Sequence, residues 1–265
     1  AAISGTSNLT IQGTAGTTEE QIRYSWNYSL LLAEGPTTRA LVPSPIYSGM
    51  ATGRIVRFEE LTRSAPEIQD TLVSILSEKA LMVPEMGADT RVAAAPGFNL
   101  IATANLRDRG VNEMSAALKR RFNFETVHPI ADRQQEIELI EAQVALEIGD
   151  RAPAPGRDVV ELLVTAFREL RTGRTDQGVA IVAPETVMST AEAVNVAVSS
   201  AMEARYFGNG IVTPSHLARQ LTGVALKDSE EDRTRLRAYL DSVVRERARS
   251  SAAWQEFHTA ARAIW

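Results

Sequence analysis

Cysteine is missing from the chain altogether, which excludes disulfides and thiolate metal sites. Histidine is almost as scarce. His128, His216 and His258 are the full set, and their wide separation in sequence favours three structural side chains over a metal cluster. Long apolar runs are also lacking. Nothing approaches the ~20 residues needed to span a bilayer, and the opening AAISGTSNLT has neither the basic flank nor the apolar centre of a secretory signal. The expected location is cytoplasmic, with no membrane partner. No strong charge of either sign is present: 28 basic against 33 acidic side chains leave a net charge of -5, so no global field draws the chain to nucleic acid or an anionic surface.

What is present is an ordinary globular composition, 44% hydrophobic and 23% charged over 265 residues. The first half alternates between strand-like segments near 8–12, 54–58 and 98–104 and helix-like segments near 17–33, 65–78 and 113–121. That alternation predicts an α/β fold with a parallel sheet. IVRF and FNLIATA are nearly continuous apolar runs, as expected of strands covered on both faces. The short strand LTIQ, residues 9–12, has no partner before it, as though the chain entered a domain part-way.

After Pro129 the texture becomes helical, over 132–148, 157–171, 190–206 and 214–226. Gly149 and Gly173 follow helix ends, Thr213-Pro214 reads as an N-cap with proline at the first helical position, and Ser189 with Glu192 makes a capping box. Two amphipathic stretches close the chain. Leu236, Leu240, Val243 and Val244 form the stripe of 230–249, and Trp254, Phe257, Ala261, Ile264 and Trp265 that of 253–265. Both read as core or docking helices.

The stretch RIVRFEELTR, residues 54–63, sets Glu59 and Glu60 directly after an apolar strand. Two acids at the end of a buried strand are costly unless a metal ion, a phosphate-bearing ligand or a hydrolytic water compensates them. The plain alternative is a strand that surfaces and ends in two solvated glutamates. Forty residues on, FNLIATANLRDRG ends a second apolar strand in Asn105, and the carboxyl ends of neighbouring parallel strands face one crevice. Further along, LKRRF brings Arg120 and Arg121 after a short helical stretch. Two acids, a strand-end amide and a helix-end arginine are the parts of nucleoside triphosphate hydrolysis: one acid for the hydrated magnesium, the other for the attacking water, the amide for orientation, the arginine for developing charge.

The segments GTAGTTEEQIRY, RIVRFEELTRSAPEIQDTLVSILSE, FNLIATANLRDRG and ALKRRF together resemble the core of MoxR-type AAA+ ATPases of the dynein-related clade, over about residues 8–227. The resemblance implies a P-loop NTPase-type parallel sheet core followed by an all-α lid, with ATP and Mg2+ as cofactors. It makes Glu60 the catalytic base, puts Glu59 where a magnesium-associated aspartate is usual, and makes Asn105 the sensor 1 residue. The spacing of Gly110, Ala117, Arg121 and Phe122 matches a family segment ending in Asp-Arg-Phe, so Arg121 takes the arginine-finger position. Arg120 stands where that aspartate is usual, which leaves the finger between two adjacent arginines. A homo-hexameric ring is implied, acting as a chaperone-like remodeller of partner proteins, including ones with a von Willebrand factor A domain.

The sequence departs from that family in two places. No G-x-x-x-x-G-K-[ST] phosphate loop occurs in the 265 residues; the resemblance would place it before Ala1 and make the chain a fragment. The lid start Ser189-Thr190-Ala191-Glu192 is explained by its capping box, so no sensor 2 residue is assigned. The expected domains are therefore 1–130, an α/β core lacking its first strand and phosphate loop, 131–227, a helical lid, and 228–265, C-terminal amphipathic helices. The competing reading is a scaffold that keeps the fold without nucleotide. A nucleic-acid-dependent relative is a third, opposed by the acidic balance.

Overall fold

In the computed structural model, which describes residues 8–105, 111–185, 188–225 and 229–264, the first half runs β1 (Thr10–Gln12), α1 (Glu19–Ile22), β2 (Tyr24–Trp26), α2 (Tyr28–Glu34), β3 (Leu41–Pro43), α3 (Pro45–Thr52), β4 (Ile55–Glu59), α4 (Pro66–Glu78), β5 (Ala80–Met82), β6 (Arg91–Ala93), β7 (Asn99–Ala102) and α5 (Ala116–Lys119). β4 is the middle strand of a three-stranded parallel sheet of order β1-β4-β7. Gln12 lies opposite Glu59 on one side, and Phe58 opposite Ala102 on the other. Ile11, Val56, Phe58 and Leu100 are buried on a common core. The opposite face is open among the described residues, since Arg57 is exposed and Ile101 is 52% exposed. The expectation of strands covered on both faces is thereby corrected.

α4 buries Ile68, Leu72 and Ile75, a stripe at helical spacing, and begins on Pro66, where the missing N–H costs nothing. The segment expected as one helix over 17–33 is broken. A capping box of Thr18 and Gln21 starts α1, but the chain then leaves as β2, paired antiparallel with β3 so that Ser25 faces Val42. Asn27 and Gly35 cap α2, which holds no buried residue. A second antiparallel hairpin, β5 with β6, follows α4. The two hairpins are tied together: Tyr24 donates its hydroxyl to Glu85 at 2.6 Å, and Arg23 donates to the Met82 carbonyl at 2.8 Å. Burial, then this hydrogen bond, push the Tyr24 phenol up to about 12, and the same bond holds the Glu85 carboxyl below the usual range.

The chain divides into two compact units at Glu125/Thr126. The second contains α6 (Arg133–Ile148), α7 (Arg157–Thr172), α8 (Thr190–Phe207), α9 (Pro214–Ala225), α10 (Glu230–Tyr239), a π-helical turn Leu240–Val244, α11 (Arg245–Arg247) and α12 (Ala252–Ile264). The helices after residue 228 do not stand apart: Leu236, Tyr239, Leu240, Val244, Phe257 and Ala261 belong to the same apolar core as Phe167 and Val196. Ser189 and Glu192 form the capping box of α8, each accepting the other's backbone N–H, at 3.2 and 2.9 Å.

Two of the buried carboxylates, Glu136 and Glu169, tie the helices of this unit together. Glu136 receives Arg171, Arg168 and Thr190 at 2.9, 3.0 and 2.8 Å. Burial alone would raise its carboxyl, but hydrogen bonds from Arg171, Thr190 and Arg168 outweigh it and hold the group below the usual range. Glu169 receives the Tyr239 hydroxyl at 2.8 Å, the Asp176 N–H at 2.8 Å and both guanidinium nitrogens of Arg247. Among the described residues, no helix is long and apolar enough to cross a membrane.

Candidate functional site

The carboxyl end of β4 is where the sequence-predicted acids meet their surroundings. Glu59 is the last strand residue, and both its oxygens are engaged: Arg57 Nε donates to one at 3.0 Å and the Thr103 hydroxyl to the other at 2.6 Å. Thr103 comes just after β7. Its hydroxyl also accepts the Glu60 N–H at 3.1 Å, its N–H donates to the Phe58 carbonyl and its carbonyl accepts the Leu61 N–H, both at 2.9 Å. A single threonine thus stitches the ends of the two neighbouring strands together.

Glu60 steps out of the strand into the left-handed region, φ 53 and ψ 45, which a non-glycine residue enters only where its surroundings hold it. Its carboxylate lies 3.5 Å from Arg63 Nε, and Oε2 accepts no hydrogen bond from a described residue. Both oxygens of Glu59 accept hydrogen bonds, whereas the Glu60 carboxylate meets only the Arg63 guanidinium among the described residues. Gly13, after β1, closes the other side by donating to the Glu59 carbonyl at 2.7 Å. A Cβ there would sit 2.3 Å from the Glu60 carbonyl oxygen and 3.0 Å from that of Glu59. Gly13→Ala should accordingly cost about 1–3 kcal/mol of stability through overpacking against backbone, read as a lowered urea midpoint, and should displace the Glu60 turn.

Asn105 follows Thr103 by two residues, within ~7 Å along the chain, and is exposed. The structure therefore brings Glu59, Glu60 and the Asn105 segment to adjacent strand ends. It places the two arginines elsewhere. Arg121 donates through Nε to Ser77 on α4 at 2.7 Å and through Nη1 to the Ala117 carbonyl at 2.6 Å, while Arg120 is exposed. Neither is bonded to the acids. Gly110, part of the arginine-segment spacing, lies outside the described residues.

The donor set at the strand ends is oxygen only, Glu59, Glu60 and the Thr103 hydroxyl. Such hard donors suit Mg2+ held by one or two carboxylates together with phosphate oxygens. Among the described residues, no group of three or more His, Cys, Asp or Glu side chains is arranged to hold a metal unaided. Thr103, Gly13 and Arg57 were not singled out by sequence reasoning. A threonine after an apolar strand looks like a strand former, and only its place next to Glu60 makes it a linker.

Residues 1–122 match the AAA domain of the dynein-related subfamily, and residues 134–264 match the YehL-like AAA+ ATPase C-terminal domain. Over 263 residues the chain is 49% identical to the uncharacterized protein YehL of Escherichia coli (strain K12), a match spanning 98% of this chain and 72% of that protein. The chain belongs to the YehL-like AAA+ ATPases. A shorter match, 31% identical over 90 residues and 34% of either chain, joins this AAA+ family member to an uncharacterized protein of Staphylococcus aureus (strain USA300). Among solved structures, NtrX from Brucella abortus in complex with ADP overlaps with a TM-score of 0.47 at 16% identity, covering 96% of this chain and 56% of that one. Overlap at that level adds nothing on activity. The AAA+ assignment rests on the two sequence matches, on the kinship with YehL and on the β1-β4-β7 parallel sheet with its helical second unit.

Proposed function

We propose that the chain is the core and lid of an ATP-hydrolysing AAA+ protein that works as a homo-hexameric ring and remodels partner proteins, among them ones carrying a von Willebrand factor A domain. The observation that carries this reading is Glu60, held in a left-handed turn at the carboxyl end of β4, beside the end of β7, its carboxylate 3.5 Å from Arg63 and accepting no hydrogen bond at Oε2 from a described residue. In the proposed chemistry Glu60 accepts the proton of the attacking water, Asn105 orients that water or the γ-phosphate, and Arg121, or failing it Arg120, reaches a neighbouring subunit's nucleotide. Glu59 would hold the water shell of Mg2+, which when bound offsets charge on the β- and γ-phosphates. Among the described residues the outer edge of β7 has no partner strand, and a strand leading into a phosphate loop would pair there.

One observation favours the second reading, a nucleotide-independent scaffold: Arg57 and Thr103 already occupy both oxygens of Glu59. Phosphate release by the full-length protein decides between the two. Glu60→Gln should lower turnover by about 10²–10⁴-fold, the range for a positioned general base, with ATP binding by calorimetry retained. The absence of both phosphate release and ATP binding in the unmodified protein would establish the scaffold.

A further inference from the structure

Glu60 adopts a backbone conformation that non-glycine residues avoid, and two clamps hold it. The first is Thr103, described above. The second lies downstream. The turn Leu61–Arg63 runs into Ser64, whose carbonyl accepts two side-chain amides, Asn112 Nδ2 at 3.0 Å and Gln69 Nε2 at 3.2 Å, while the Asn112 N–H donates to the Thr62 carbonyl at 2.6 Å. The setting is dry: Thr62, Ser64 and Gln69 are each at most 1% exposed. Thr62 Oγ1, Ser64 Oγ and Gln69 Oε1 are buried there without hydrogen bonds, so the turn has little stability of its own and depends on those it receives.

Gln69 belongs to α4, but Asn112 sits on the segment that feeds α5. Two residues after it Met114 is buried, Ser115 caps the helix by accepting the Leu118 N–H at 3.2 Å, and Leu118 is buried beneath. Arg120 and Arg121 come directly after. We infer that Asn112 is a positioning residue that joins the Glu60 turn to the arginine-bearing helix, so that the acid and the arginines shift as one body. The inference rests on the ATPase reading for its consequence, because it makes each subunit's own acid and the arginines it offers a neighbour mechanically inseparable. A purely structural role would seal the turn without transmitting anything.

The test compares Asn112→Asp, which keeps size but cannot donate to the Ser64 carbonyl, with Gln69→Glu, which removes the other amide from the same carbonyl, both in the full-length protein. Amide hydrogen exchange is followed at 61–64 and 118–121. Asn112→Asp should speed exchange about 10-fold in both segments, the equivalent of one buried hydrogen bond. Gln69→Glu should do so at 61–64 alone. Turnover in Asn112→Asp should fall about 10- to 100-fold, as for a slightly misplaced catalytic group, with KM for ATP changed by less than about two-fold. Faster exchange confined to 61–64 in Asn112→Asp, or turnover unchanged when both segments loosen, would overturn the coupling. If the unmodified protein hydrolyses no ATP, the ATPase reading fails separately, and the exchange pattern alone decides whether Asn112 joins the two segments.

Discussion

On the ring reading proposed above, Arg121→Ala in the full-length protein should lower ATP turnover by roughly 10³-fold or more while leaving ATP binding nearly intact, because an arginine supplied across a subunit interface would act on the transition state and not on the bound nucleotide. In the structure its guanidinium rests on Ser77 and on the Ala117 carbonyl. These are exposed hydrogen bonds worth about 1 kcal/mol each, so resting there does not bar Arg121 from reaching a neighbour. Arg120→Ala is the control: adjacent side chains leave a helix about 100° apart and do not share one target. Mixing Arg121→Ala subunits with Glu60→Gln subunits should restore turnover, since a subunit with intact Glu60 then meets a neighbour with intact Arg121. A fully active Arg121→Ala homomer, or mixed rings as inactive as their parents, transfers the role to Arg120.

The second large effect is one of stability. Glu169→Ala should cost the second unit about 3–5 kcal/mol, the usual result of breaking a buried ion pair by deleting one partner. The carboxylate is 1% exposed and answers four groups from three places: the Asp176 N–H, the Tyr239 hydroxyl and the two guanidinium nitrogens of Arg247. Burial works against the charge of Arg247, but the hydrogen bond and attraction of Glu169 outweigh it and hold the guanidinium protonated. Burial, then the charge and hydrogen bond of Glu169, push the Tyr239 phenol well above its ordinary range. Without Glu169, the buried Tyr239 phenol loses its acceptor and the Arg247 side chain, 21% exposed, loses its carboxylate partner. Glu169→Gln, which keeps an acceptor, should lose about half as much. Urea unfolding followed by the fluorescence of Trp254, whose ring lies 4.8 Å from the Arg247 guanidinium, reports both changes; equal losses in the two variants would mean that the charge carries the whole effect and a neutral acceptor contributes nothing.

Features made by neighbours in sequence were readable from it, and those made across long separations were not. The strand at 54–58 and the helices after residue 132 announce themselves through local apolar spacing, and Ser189 with Glu192 through a four-residue motif. The segment 17–33 misleads because Tyr24 and Trp26 become a strand only against Leu41–Pro43, a partner that local periodicity cannot see. The same holds for Ala80–Met82 with Arg91–Ala93. At the site, Glu59 and Glu60 stand out as adjacent acids, whereas Thr103 and Asn112 matter through bonds to residues more than forty positions away. Nothing local in sequence marks Glu136 or Glu169 as buried; their burial depends on arginines brought in by the packing of α7 and α11.

The helix α2 leads in a different direction. It has seven residues, none buried, with Tyr28 62% and Leu32 89% exposed. So short a helix does not form alone in water, and its shape is lent to it by the Asn27 and Gly35 caps and by the hairpin legs β2 and β3 that hold its ends. Since its side chains make no part of the core, their replacement is nearly free, and the tip can melt and reform without disturbing the sheet below. The segment YSLLLAE can therefore be exchanged for another of the same length with little consequence for the sheet that carries Glu59 and Glu60.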